Sequence, residues 1–200
     1  MIPGGLAVSM MLALILATPA RGADQPIDAK LILSQNSKTE TLVFLSRDRD
    51  ALFPAVGSAD DPTVAGMTID LFSDKGEHVS FAVPAAGWKA SSGSVPRYRF
   101  RNRAAPEGLS RMRLVVQKQG RVLKVTGKAV GLLLLVGLRG PAAIRLTTGT
   151  LRNCTRFEGA AIRKNAPGKF IGKSTSASSL ADCSDGSLQQ TRRISRQVRL

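Results

Sequence analysis

The chain has 200 residues, with 29 Lys or Arg against 14 Asp or Glu, one His and two Cys, and a net charge of +15. Aromatic residues are few, one Trp, one Tyr and seven Phe, so the core must be mainly aliphatic and broad sugar-stacking platforms are not expected. The length suits one ordinary domain burying roughly 70% of its unfolded surface, without a structural metal to hold it.

Residues 1–23 open with an uncharged apolar run, Leu6 through Ala17, and close on small residues around Thr18-Pro19-Ala20 and Gly22-Ala23, the pattern of a cleavable secretory signal. The run covers about a dozen residues, short of the roughly 20 a bilayer span needs. Cleavage after Ala20, Gly22 or Ala23 is therefore expected, leaving a secreted or periplasmic protein with no transmembrane span. Export exposes Cys154 and Cys183 to an oxidising compartment, where two cysteines allow a single intramolecular pairing, so a Cys154–Cys183 disulfide is expected. A catalytic thiol has no evident partner, because His78 is the only histidine and lies far away in sequence.

Residues 24–29 look like a short polar leader. Beyond them, brief apolar segments alternate with clusters of Gly, Pro, Ser, Asn and Asp, and no long helical pattern occurs. Strands are predicted at 30–34, 41–46, 67–72, 79–83, 97–102, 111–118, 121–127, 131–138, 143–148, 151–157 and 169–173. Short strands at this density predict an all-β fold, an antiparallel β-sandwich or jelly-roll-like single domain over 30–187, followed by a basic tail at 188–200.

Alternation sets the faces. Met67, Ile69 and Leu71 oppose Thr68 and Asp70, and Val79, Phe81 and Val83 oppose Ser80 and Ala82, so both segments predict half-buried strands. Segment 41–46 is apolar on both faces, as is 131–138, which predicts strands covered on both sides. A hairpin turning at Gln119-Gly120 sets Val116 opposite Leu123 and Leu114 opposite Val125, with the apolar rows on one side. The same register sets Arg111 opposite Lys128 and Arg113 opposite Thr126.

Charge is distributed unevenly along the chain. Residues 1–100 carry nine basic side chains against ten acidic, and residues 101–200 carry twenty against four. Alternation in 97–103 places Tyr98 and Phe100 inward and Arg97, Arg99, Arg101 and Arg103 outward, about 6.5 to 7 Å apart. Such a row suits several anionic groups on an extended polyanion, and it equally suits a solvated sheet face. With Arg111, Arg113, Lys124 and Lys128 the row forms a candidate polyanion site, for which an exported protein would meet anionic envelope polymers or a membrane surface rather than nucleic acid.

No nucleophile elbow, phosphate-cradling glycine loop or HExxH motif is present, so no catalytic residue and no cofactor is predicted. Asp74, Glu77 and His78 crowd one turn, which a polar turn explains better than zinc. Asp48 and Asp50 in SRDRD, and Asp60 and Asp61 in GSADDP, are weak candidates for calcium, although their spacing matches no defined calcium loop and both segments are ordinary turn formers. Asn153-Cys154-Thr155 is a formal glycosylation acceptor, poorly placed beside a half-cystine.

The segments LTTGTLRNCTRF (146–157), IRKNAPGKFIGK (162–173) and SLADCSD (179–185), with FPAVGSADDPTVAGMTIDLFS (53–73), resemble an uncharacterised exported bacterial domain family. The resemblance covers about 30–187 and implies a compact β-rich domain with a bridged cysteine pair; it brings no activity. Three roles follow. The first is a non-catalytic structural or accessory binding domain with an unknown ligand, the second a binder of anionic envelope polymers, and the third a hydrolase with carboxylates gathered from loops.

Overall fold

The computed structural model describes residues 23–36, 39–73, 78–91, 96–102, 108–117, 122–130 and 140–174. The signal segment through residue 22, the turn at Gln119-Gly120, the strand expected at 131–138, Cys183 and the basic tail lie outside the described residues, as do Asp74 and Glu77. In chain order the elements are β1 (Gln25–Pro26), β2 (Ala29–Gln35), β3 (Glu40–Ser46), the one-turn helix α1 (Pro62–Ala65), β4 (Met67–Ser73), β5 (His78–Val83), β6 (Trp88–Ser91), β7 (Arg97–Arg101), β8 (Gly108–Gln117), β9 (Val122–Val130), β10 (Ala142–Thr148), β11 (Leu151–Phe157), β12 (Ile162–Ala166) and β13 (Lys169–Lys173).

The strands form two sheets, ordered β1-β11-β10-β4-β5 and β12-β13-β2-β3-β9-β8-β7-β6. Every described pairing is antiparallel except β1 with β11. The main core lies between the sheets, where Ile69, Leu71, Ile144, Leu146 and Phe157 of one meet Leu31, Leu33, Phe44, Leu114, Val125 and Phe170 of the other. Each such side chain contributes about 1.5 to 3 kcal/mol by leaving water, so a sandwich poor in aromatics is held by the number of its aliphatic rows. This is the all-β, sandwich-like architecture that the strand density predicted.

Tight packing fixes where some strands meet. A Cβ on Gly172 of β13 would collide with the Phe157 ring, so only glycine lets that ring lie against β13, edge-on to Phe170 at 6.0 Å between centroids. At the β10–β11 hairpin, Thr148 pairs with Leu151 across a two-residue turn, and Gly149 adopts φ +55°, the left-handed region that a side chain disfavours.

The β8–β9 register is the one predicted: Val116 opposite Leu123, Leu114 opposite Val125, Arg111 opposite Lys128 and Arg113 opposite Thr126. A shift between Leu109 and Arg111 extends the pairing further. Three expectations need correction. The segment read as a polar leader is built into the fold: Gln25 and Pro26 pair with Asn153 and Cys154, Ile27 is fully buried, and Ala29 already belongs to β2. Strand β3 is central but covered on one side only, since Leu42 and Phe44 are buried while Thr41, Val43 and Leu45 are half-buried. Strand β4, expected to be half-buried, is buried on both faces, because outward Asp70 and Phe72 are held by a polar and aromatic cluster described below. Edge strand β5 leaves Val79 37% exposed, although that residue shares its row with buried Phe81 and Val83.

Candidate anion-binding face

The outer face of the eight-stranded sheet is assembled from alternation and register together. On β7 the burial pattern alternates, with Tyr98 and Phe100 in the core and Arg97, Arg99 and Arg101 exposed. Pairing then lines up cations across strands. Lys89 lies opposite Arg99, and Arg99 opposite Arg113, so one row carries three basic residues on three adjacent strands. The next row sets Arg101 opposite Arg111, and Arg111 opposite Lys128. Neighbouring strands stand about 4.8 Å apart and successive outward residues about 6.7 Å apart, so the positions form a two-dimensional lattice.

Lys89, Arg97, Arg99, Arg101 and Arg113 are exposed and have no ion-pair partner among the described residues. Among the described strands of this sheet the only acidic residue is Glu40, which is buried on the core side and accepts a hydrogen bond from Gln35 Nε2 at 3.0 Å. Directly opposed like charges cost stability, and among the described residues no carboxylate lies between them to offset it. The same five cations line an open cleft of about 980 Å³, to which Gly87, Phe100 and Met112 also contribute. A smaller groove of about 270 Å³ continues it across β8, β9 and β3, with Thr41, Val43, Arg113, Thr126 and Lys128 on its walls.

Behind the lattice, the buried Tyr98 hydroxyl donates to the Pro54 carbonyl at 3.2 Å. Burial, with the nearby Asp61 charge, pushes its pKa up to about 12, so the ring stays neutral and adds no anion behind the guanidinium groups. Sequence reasoning placed Arg97, Arg99, Arg101, Arg111, Arg113, Lys124 and Lys128 in this site, and they share β7, β8 and β9. It missed Lys89, because the alternation of Trp88 and Ala90 with Lys89 and Ser91 runs for only four residues; the β6–β7 register places it. At the far side of the same sheet, Lys30, Lys164, Lys169 and Lys173 are also exposed.

Three of the acidic candidates, Asp48, Asp60 and Asp61, accept from backbone N–H groups. Asp48 accepts from the Asp28 N–H at 2.7 Å and from the Asp50 N–H at 3.0 Å. Asp60 Oδ1 accepts from the Thr150 N–H and hydroxyl, tying the 57–61 loop to the β10–β11 turn. Asp61 caps α1. Burial pushes its carboxyl pKa upward, but hydrogen bonds from the Gly57 N–H and from the Thr63 hydroxyl and N–H outweigh that and hold it below its ordinary value. No group of three or more His, Cys, Asp or Glu side chains suited to a metal occurs among the described residues.

The chain matches no family model, no curated protein and no solved structure.

The five-stranded sheet presents different chemistry on its outer side. Arg145 binds Asp24 through Nε and Nη2, at 2.8 to 3.1 Å, and its Nη1 lies 4.0 Å from Asp70. Arg152 adds a second bond to Asp24 at 2.8 Å, and His78 meets Asp70 at 3.0 Å. The Phe72 ring stacks on His78 at 4.6 Å and lies 5.0 Å from the Arg145 guanidinium. His78 thus pairs along β4–β5. Cys154 is buried on this side with Phe72 and Ala143, and Asn153 exchanges hydrogen bonds with the Leu52 backbone, a structural use of the formal glycosylation asparagine.

Proposed function

We propose that the protein is an exported, non-catalytic domain that binds anionic polymers of the cell envelope through the outer face of its eight-stranded sheet. The observation that carries this reading is the acid-free lattice on β6 to β9, where five exposed cations have no ion-pair partner among the described residues. Surface cations that serve only solubility are normally interspersed with carboxylates, whereas like charges opposed across strands weaken the sheet that holds them. An anionic ligand turns that cost into binding free energy. Export is read from residues 1–23, and the pairing of Cys154 with Cys183 belongs to the same proposal, supported by the oxidising compartment that export implies.

Binding of dextran sulfate, with neutral dextran as control, tests the reading by fluorescence anisotropy. Five or more charge contacts predict an affinity loss of about a hundredfold or more between about 50 and 200 mM salt, by analogy with counterion release from nucleic acid. Salt-insensitive binding, or none, defeats it. A thiol assay on exported protein tests the other half: no reactive thiol is expected before reduction and two after it. Two thiols in the unreduced protein would remove the disulfide and weaken the case for export.

A further inference from the structure

We infer that the lattice selects tetrahedral oxyanions, phosphate or sulfate esters carried at intervals on a linear polymer, over carboxylates; this rests on the polyanion reading above. The argument is geometric. Arg99 stands directly opposite Arg113 and next to Lys89, so one anion at that row is approached by two guanidinium groups and an ammonium from adjacent strands. A carboxylate is planar, and even where it takes two guanidinium groups, as Asp24 takes Arg145 and Arg152, its two oxygens accept mainly in or near one plane. A phosphate or sulfate ester presents three terminal oxygens in different directions, so it takes one fork and retains acceptors for the neighbouring strands. Opposed cations are therefore better matched by a tetrahedral group than by a planar one.

The repeat along β7 identifies the ligand as a chain. Arg97, Arg99 and Arg101 mark three successive rows, about 6.7 Å apart, and a single small ion occupies only one of them. The cleft is lined from all three rows, by Arg97, Arg99 and Arg101, and is open to solvent, so it admits a linear polymer laid across the rows. A bilayer is a poorer fit, because a broad planar surface cannot follow charges lining a concave cleft.

Dextran sulfate, dextran phosphate and carboxymethyl dextran of matched length and substitution share one backbone and differ only in the anion. The sulfate and phosphate forms are expected to bind at least tenfold more tightly than the carboxymethyl form, and the tighter of the two identifies the ester preferred. Charge-conserving Arg99→Lys/Arg113→Lys removes the planar forks of the central row, where cations are directly opposed. It is expected to reduce the preference to less than threefold while leaving salt-dependent binding in place. Equal affinity of the unmodified protein for all three charged dextrans overturns the inference yet leaves polyanion binding standing. Absence of salt-dependent binding to any of them overturns both. Stronger association with phosphatidylglycerol vesicles than with either ester polymer overturns the choice of a linear ligand.

Discussion

Both sheets carry arginine on their outer faces, but among the described residues only the five-stranded sheet pairs it with carboxylates. On the five-stranded sheet Arg145 and Arg152 are mostly buried, with side-chain exposures of 14% and 20%, and both bind Asp24. Arg156 likewise meets Glu158 at 3.1 Å. On the eight-stranded sheet Arg97, Arg99, Arg101 and Arg113 stand exposed with no ion-pair partner among the described residues. The same side chain is thus a structural tie on one surface and a presented charge on the other, and what separates the two is the supply of carboxylates. Net charge alone does not reveal this division. Register does.

The largest difference should appear when one arginine is removed from each sheet. Arg145→Ala leaves Asp24 and Asp70 buried with reduced compensation, and breaking such a pair costs about 3 to 5 kcal/mol. Arg99→Ala removes a solvated charge and should change stability by less than about 0.5 kcal/mol, while lowering dextran sulfate affinity. Urea unfolding midpoints at constant slope measure both. If Arg145→Ala costs no more than Arg99→Ala, the contrast between the sheets is lost.

The fold was legible where one physical rule dominated. Apolar rows fixed the β8–β9 register because a one-residue slip would turn Leu114 and Val125 into solvent. Alternation likewise oriented the β7 arginines. Strands β6 and β12 carry little signal in the sequence, because the alternation in WKAS runs for only four residues and IRKNA has no apolar period; both are edge strands positioned by their neighbours. The 24–29 segment was misread for a related reason. Its anchor, Asp24 to Arg145, spans 121 residues, and no local pattern reports a contact at that separation. The two-sided burial expected for β3 instead belongs to β4, since outward Val43 and Leu45 are only half-buried while Asp70 and Phe72 are covered by the Arg145 and His78 cluster.

An intermediate effect is expected from the loop that joins β3 to β4. Asp61 accepts three hydrogen bonds and caps α1, so Asp61→Ala should cost about 2 kcal/mol. Its folded pKa lies below the ordinary carboxylate value of about 4, so its ionised form stabilises the folded state. That contribution is fully present above pH 4 and is lost as the pH falls through the lower folded value. Chemical denaturation curves of the parent and of Asp61→Ala should therefore converge in acid and separate above pH 4. A gap that widens on acidification would reverse the assignment.

The smallest effect on stability carries the sharpest sign. Arg99 and Arg113 are directly opposed like charges, so replacing both with alanine relieves repulsion and should raise stability by about a few tenths of a kcal/mol, more at low salt than at high. The same double variant should lose the dextran sulfate binding that the lattice supports. A surface arginine pair that merely solubilises the sheet gives no reason for stability and binding to move in opposite directions. A pair held against its own repulsion for a ligand does, because the anion that relieves the repulsion also supplies the contacts. If the double variant is less stable than its parent and still binds dextran sulfate with unchanged affinity, the exposed arginines of β7 and β8 belong with the structural ties of the other sheet.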